Sequence, residues 1–168
     1  MKNKNDELKN NLKEIILDFL TQLGLDADIE IADPVVGDKE SGFGYVNVVL
    51  NGDNLGELIG YRGTMLESIQ TVISLMLTKS LAKTGETLKY RVIIDINDYR
   101  NKREEYLVSH AERAVAEVLA SGQEMELAPM RPSERRIIHL ALKDHDEVET
   151  SSAGDGENRR VVIKPKSK

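Results

Sequence analysis

The apolar residues of roughly the first hundred positions switch repeatedly between helical and strand spacing, and this switching restricts the fold more than any other feature. Leu8, Leu12, Ile15, Ile16, Phe19 and Leu23 recur at three- and four-residue steps, which predicts a helix with one buried stripe, ended by Gly24. Ile29 and Ile31 then alternate with acidic residues before Pro34. Val46, Val48 and Leu50 alternate before Asn51-Gly52, so two half-buried strands are expected, joined by a polar, glycine-containing connection. A short helix from about Asn54 carries Leu55, Leu58 and Ile59. After Gly60-Tyr61-Arg62-Gly63, a longer helix starts at Thr64, whose spacing to Glu67 predicts a capping box. It runs through Leu66, Ile69, Ile73, Met76 and Leu77 toward Leu81. Leu88, Tyr90, Val92, Ile94 and Ile96 alternate with Lys89, Arg91, Ile93 and Asp95 as a further strand. The order is helix, strand, strand, helix, helix, strand.

The remaining residues predict a second α+β segment. A charged helix from about Asp98 to Ser121 carries Leu107, Ala111, Ala114, Val115 and Val118, stops at Gly122, and is placed to connect two domains. Met125 and Leu127 suggest a short strand before Pro129, and Pro132 suits the first position of a helix reaching about Lys143. Val148 and Val161 to Ile163 read as strands. Ser151 to Asn158, between them, is either a hairpin loop or a mobile segment.

Composition narrows the class. With 168 residues and 40% apolar content, the chain can bury a real core. It has no cysteine, so disulfides and thiolate metal sites are excluded, and a reducing cytoplasm is the expected location. Met1 to Asn11 is polar, with no export signal, and no window has the run of apolar residues that a membrane span needs. The net charge of -6 argues against nucleic acid on average. Yet residues 1–52 hold five Lys/Arg against ten Asp/Glu, and residues 53–103 hold eight against six. Basic charge is concentrated around the glycine-bracketed loop.

Two glycines three apart let the backbone turn tightly with no Cβ to hold a ligand away, and the next helix opens toward that ligand with its free N–H groups. Arg62 adds a permanent cation and Tyr61 a ring that can stack on a base. On the loop alone, a plain turn between antiparallel helices is as good a reading as a phosphate clamp. The segment Leu58-Ile59-Gly60-Tyr61-Arg62-Gly63-Thr64-Met65-Leu66, after two strands and before a long helix and a third strand, resembles the type II KH domain across roughly residues 1–99. The resemblance implies a loop, Gly60, Tyr61, Arg62 and Gly63, that clamps the sugar-phosphate backbone beside an apolar groove for unstacked bases. Related loops more often carry two basic or polar residues, so Tyr61 departs from the pattern.

In the helix after Pro132, Ile137, Ile138, Leu140, Ala141 and Leu142 fall on one face, and Arg135, Arg136, His139 and Lys143 on the other. Taken alone, the second face reads as a solvated polar surface. Arg135-Arg136-Ile137-Ile138-His139, with Pro132 before it and Asn158-Arg159-Arg160-Val161-Val162-Ile163 after it, resembles the R-three-H domain, a fold of three strands on two helices associated with single-stranded nucleic acid. The resemblance implies nucleic-acid contacts from Arg135 and His139, with Arg136, Lys143, Arg159 and Arg160 as weaker candidates. At i and i+4 the first two side chains are neighbours and can share one phosphate or sugar. Arg131 stands where the family often has a small polar cap.

A type II KH domain (1–99) followed by an R-three-H domain (100–168, including the connecting helix at about 98–121) resembles the bacterial Jag family, known for being encoded beside a membrane insertase. The overall class is α+β. The family implies a non-catalytic single-stranded RNA-binding protein, an RNA chaperone or post-transcriptional regulator linked to cell-wall growth and cell length. Its implied partners are single-stranded RNA and a small protein made of a single KH domain, with self-pairing of KH folds also expected and no membrane insertion. Many members begin with a further small domain and linker, and neither is read in these 168 residues, whether by natural shortness or by truncation. Two other classes compete with this reading. A protein-interaction module suits the acidic first third. An enzyme would have to use His139, Asp144, His145 and Asp146, where the two histidines point to different faces and no cysteine completes a ligand set. No metal and no cofactor is expected.

Overall fold

In the computed structural model, which describes residues 4–35, 44–83 and 90–166, the alternating segments pair by their buried faces. The chain divides into two compact units, Met1–Tyr99 and Arg100–Lys168. In the first, β1 (Asp28–Ile31) lies antiparallel to β2 (Gly44–Asn51), and β2 lies parallel to β3 (Tyr90–Ile96). The register sets Val46 beside Val92, Val48 beside Ile94 and Leu50 beside Ile96, so all six side chains enter the core together. Helices α1 (Lys4–Gln22) and α3 (Thr64–Ala82) close that core with Leu12, Ile16, Leu66, Ile73 and Leu77. Each such side chain contributes roughly 1.5–3 kcal/mol by leaving water. Leu88, Lys89 and the connection over 36–43 lie outside the described residues.

Local chemistry sets the element ends. After α1, Leu25 N–H returns to the Leu20 carbonyl and Gly24 N–H to that of Thr21, with Gly24 left-handed at φ 68°. Leu23 is therefore not part of the buried stripe. It lies in the capping turn, 51% exposed, and Leu20 takes the core position. The predicted Thr64–Glu67 capping box does not form, because Thr64 is already helical and Gly63, at φ 77°, is the residue that caps α3. Met76 is likewise outside the buried stripe of α3. The short helix α2 (Gly56–Ile59) starts later than its apolar spacing suggests, because Asn54 turns the chain with φ 61°. On the far side of β3, Ile94 N–H donates to Gln70 Oε1 at 3.1 Å, which satisfies an edge-strand donor from α3.

The second unit places three strands with two helices. They are α4 (Tyr99–Ser121), β4 (Met125–Glu126), α5 (Pro132–Ala141), β5 (Val148–Ala153) and β6 (Arg160–Pro165), with sheet order β4-β6-β5, all antiparallel. Leu107, Ala111 and Val118 of α4 meet Ile138, Val148, Val161 and Ile163 in the core. The Ser151–Asn158 stretch is a hairpin whose first three residues belong to β5.

One expectation for α5 needs correction. Leu140, placed on the apolar face, is 59% exposed, since it falls at the edge of that face next to Arg136 and Lys143. The buried face instead contains a carboxylate, Glu134, which is 7% exposed. Glu134 Oε1 accepts from Arg103 Nε on α4 at 2.7 Å, and Oε2 accepts from Arg131 N–H at 3.3 Å. The acid thus fixes the first turn of α5 and ties it to α4. Arg131 has no side-chain acceptor to offer a cap, so Glu134 supplies the only half of a capping box available to this sequence.

Candidate nucleic-acid-binding site

Gly60 makes the first decisive turn. It adopts φ 67°, ψ −174°, a region open essentially only to glycine. A Cβ there would lie 2.6 Å from Met65 Cβ. Tyr61–Gly63 then form a single 3-10 turn in which Arg62 is left-handed (φ 51°), and a Cβ on Gly63 would meet the Tyr99 ring at 2.9 Å. Thr64 Oγ1 donates to the Tyr61 carbonyl at 3.0 Å and ties the turn to α3. The backbone is thereby held close in while its tip projects outward. Tyr61 is 74% exposed, and the Arg62 guanidinium lies 4.9 Å from the centre of its ring. An aromatic face and a cation stand together above a glycine-bracketed turn at the start of a 19-residue helix.

In the second unit, α5 and β5 assemble a different kind of surface. Val148, Thr150 and Ser152 alternate toward the helices, as their cross-strand partners Val161 and Ile163 do. Where the sheet leaves the core, Thr150 and Ser152 replace apolar residues and meet His139. The imidazole Nδ1 lies 2.7 Å from Thr150 Oγ1, and Nε2 lies 2.9 Å from Ser152 Oγ. Burial first, and then the Arg135 guanidinium one turn earlier, hold the ring below its ordinary value of 6.5, so it is neutral at pH 7. His139 is half-buried and not part of a freely solvated face. The Nε–H of Arg135 is buried and has no acceptor among the described residues. Arg136, Lys143 and Arg159 are exposed.

A family model described as "KhpA/KhpB, KH domain" matches residues 13–94, and a second, for the R-three-H domain, matches residues 105–165. A protein of Clostridium symbiosum named "RNA-binding protein KhpB" is 35% identical over 161 residues, covering 92% of this chain and 67% of that protein. The chain belongs to the KhpB, or Jag, family. Proteins with the same name from Bacillus subtilis and Streptococcus pneumoniae are 34% and 33% identical over 70% of the chain, which covers 55% and 34% of their length. This KhpB-family chain thus spans about two thirds of one of these relatives and considerably less of the others.

The candidates named from sequence divide between the two units. Gly60 to Gly63 lie in the first unit and the Arg135/His139 group in the second. Arg160 is removed from that group: it pairs with Ala153, on the sheet face opposite Ser152, and its Nη1 is 3.2 Å from Glu126 Oε2. Thr150 and Ser152 were missed by sequence reasoning. Their only signal is the two-residue spacing of hydroxyls in a Thr-Ser-Ser run that otherwise reads as loop. Among the described residues no group of three or more His, Cys, Asp or Glu is placed to hold a metal, and no helix is long and apolar enough to cross a membrane. His145 is engaged locally, its Nδ1 accepting from Glu147 N–H at 3.2 Å.

Two outcomes follow. Gly60→Ala should destabilise the first unit by about 1–3 kcal/mol in urea unfolding, because it needs a glycine-only conformation. Gly56→Ala, whose added Cβ meets nothing within 4 Å, should be neutral or stabilising by up to about 1 kcal/mol. The second concerns pH. The unfolded chain protonates His139 more readily than the folded one, so stability is present above pH 6.5 and is lost as pH falls below it. Urea unfolding followed through the NMR signals of residues 100–166 should show that loss in the native protein and a shallower one in His139→Gln.

Proposed function

We propose that this chain is a non-catalytic single-stranded RNA-binding protein that holds the RNA backbone with Gly60-Tyr61-Arg62-Gly63. The observation that carries this is the geometry of the loop. Gly60 sits in a glycine-only conformation that brings backbone close to a ligand, and the exposed Tyr61 ring and Arg62 cation offer stacking and charge at one point. The name shared by the relatives supports the reading. The unit of residues 100–168 supplies a second contact around Arg135 and His139, with Arg136 and Lys143 exposed beside them. Neither contact needs the whole molecule to be basic, since phosphate responds to charge within about one Debye length, roughly 8–10 Å at physiological salt.

On this reading the protein works in the cytoplasm as an RNA chaperone or post-transcriptional regulator, with cell-wall growth and cell length as the process served. A second reading, an interaction module for a small single-KH protein or for another copy of itself, is favoured by one observation. Val72, Leu75 and Met76 form an exposed apolar patch on α3 at i, i+3 and i+4. The two readings separate by salt. Replacing Tyr61 and Arg62 together by aspartate should leave the fold intact and weaken binding of a labelled oligouridylate on the order of tenfold or more. The native affinity should fall as salt rises, with a salt slope reduced by about one after Arg135→Ala. Unchanged affinity in the folded aspartate variant rejects the loop. Binding that ignores salt favours the protein partner.

A further inference from the structure

An imidazole has two hydrogen-bonding positions in its ring plane and no third. Both are taken in His139, by Thr150 and Ser152. While those hydroxyls stay in place, the ring has nothing left to offer a phosphate oxygen. The hydroxyls are not exhausted in the same way. Each carries one O–H donor and two lone pairs, and its bond to the imidazole uses one of the three. In a neutral ring one nitrogen donates and the other accepts, so one of the two hydroxyls accepts from the ring and keeps its own O–H for a further partner. Both residues are half-exposed, so neither is sealed in the core. One turn before the histidine stands the half-buried Arg135, whose Nε–H meets no acceptor among the described residues. A hydroxyl and a guanidinium, both donors, suit an oxyanion such as a backbone phosphate.

We infer that Arg135 and whichever of Thr150 and Ser152 accepts from the ring touch the RNA phosphate, and that His139 is a positioning residue acting through that hydroxyl while the other hydroxyl, donating to the ring, fixes its orientation. The inference rests on the RNA-binding reading above and assigns the contact within it. It explains why a histidine in a binding face is bonded on both nitrogens by a strand eleven and thirteen residues later.

The test is a binding cycle on the full chain with a labelled oligouridylate. Thr150→Val with Ser152→Ala should lower affinity about five- to tenfold, the scale of a hydrogen bond to a charged group. Adding His139→Ala to that double variant should cost less than about twofold further, because the ring then has nothing to position. Hydroxyl variants that bind like the native chain, or a further loss of about fivefold on removing His139, would overturn the inference. If Arg135→Ala is also without effect, the RNA-binding role of this unit fails with it, an outcome distinct from a phosphate contact made by the ring. Nitrogen NMR of the His139 ring needs no variant and so stands even if the double variant does not fold. The ring should stay neutral and bonded on both nitrogens when RNA is added, whereas protonation or loss of a hydroxyl bond would contradict the assignment.

Discussion

Two parallel strands cannot be joined by a tight turn, and the first unit is built around such a pair. β2 and β3 align Val46, Val48 and Leu50 with Val92, Ile94 and Ile96, and most of the core of that unit depends on this register. A parallel pair requires a long crossover that passes over one face of the sheet. Here it consists of α2, the glycine-bracketed turn and α3, whose Leu58, Leu66, Ile73 and Leu77 are buried against the same core. The chain must reverse between the two helices, and that reversal is where Gly60 to Gly63 stand. The candidate site is thus a product of the strand pairing and not an ornament on a finished fold. Its tip is exposed because its flanks are anchored, through the buried Leu58 on one side and Leu66 on the other.

The second unit solves a related problem with polar chemistry. β5 begins with Val148 in the core and ends with Thr150 and Ser152 in the positions that continue the same face. Hydroxyls there would be costly without partners, and His139 satisfies both. The arrangement gives the margin of a small core a fixed, neutral polar cluster beside an arginine. Glu134 has the corresponding role at the other end of α5. Its carboxylate is shared between the Arg131 backbone and the Arg103 side chain, so the helix start is set by an ion pair as well as by Pro132. Losing either partner would leave a nearly buried charge uncompensated, which is more costly than the intact pair is stabilising.

Much of this was legible in the sequence, for stated reasons. Strand residues such as Val46 to Leu50 and Val92 to Ile96 betray themselves because one face of the sheet is buried and the period of two is strict. The order of elements followed, and with it the resemblance to a KH and an R-three-H domain. Legibility failed where a local pattern had two structural solutions. Thr64 and Glu67 have the spacing of a capping box, but the turn ahead of them left Gly63 to cap α3. Leu23 has the right interval for the α1 stripe, yet the capping turn at Gly24 withdraws it. Glu134 carries no local sign of burial, because Arg103, the residue that makes its burial tolerable, lies thirty-one positions earlier. Thr150 and Ser152 carried no apolar alternation to mark them as inward-facing.

The loop and the hydroxyl-histidine cluster share one design. In each, a small residue leaves backbone or hydroxyl open to approach, a cation stands beside it, and buried side chains flank it. The most direct test is ultraviolet crosslinking of the full chain to single-stranded RNA, with the adducts located by mass spectrometry. Tyr61 should be the dominant adduct, since it is the exposed ring at the tip of the proposed clamp. Adducts confined to other segments, with the Tyr61 peptide unmodified, would contradict the assignment of RNA to the glycine loop.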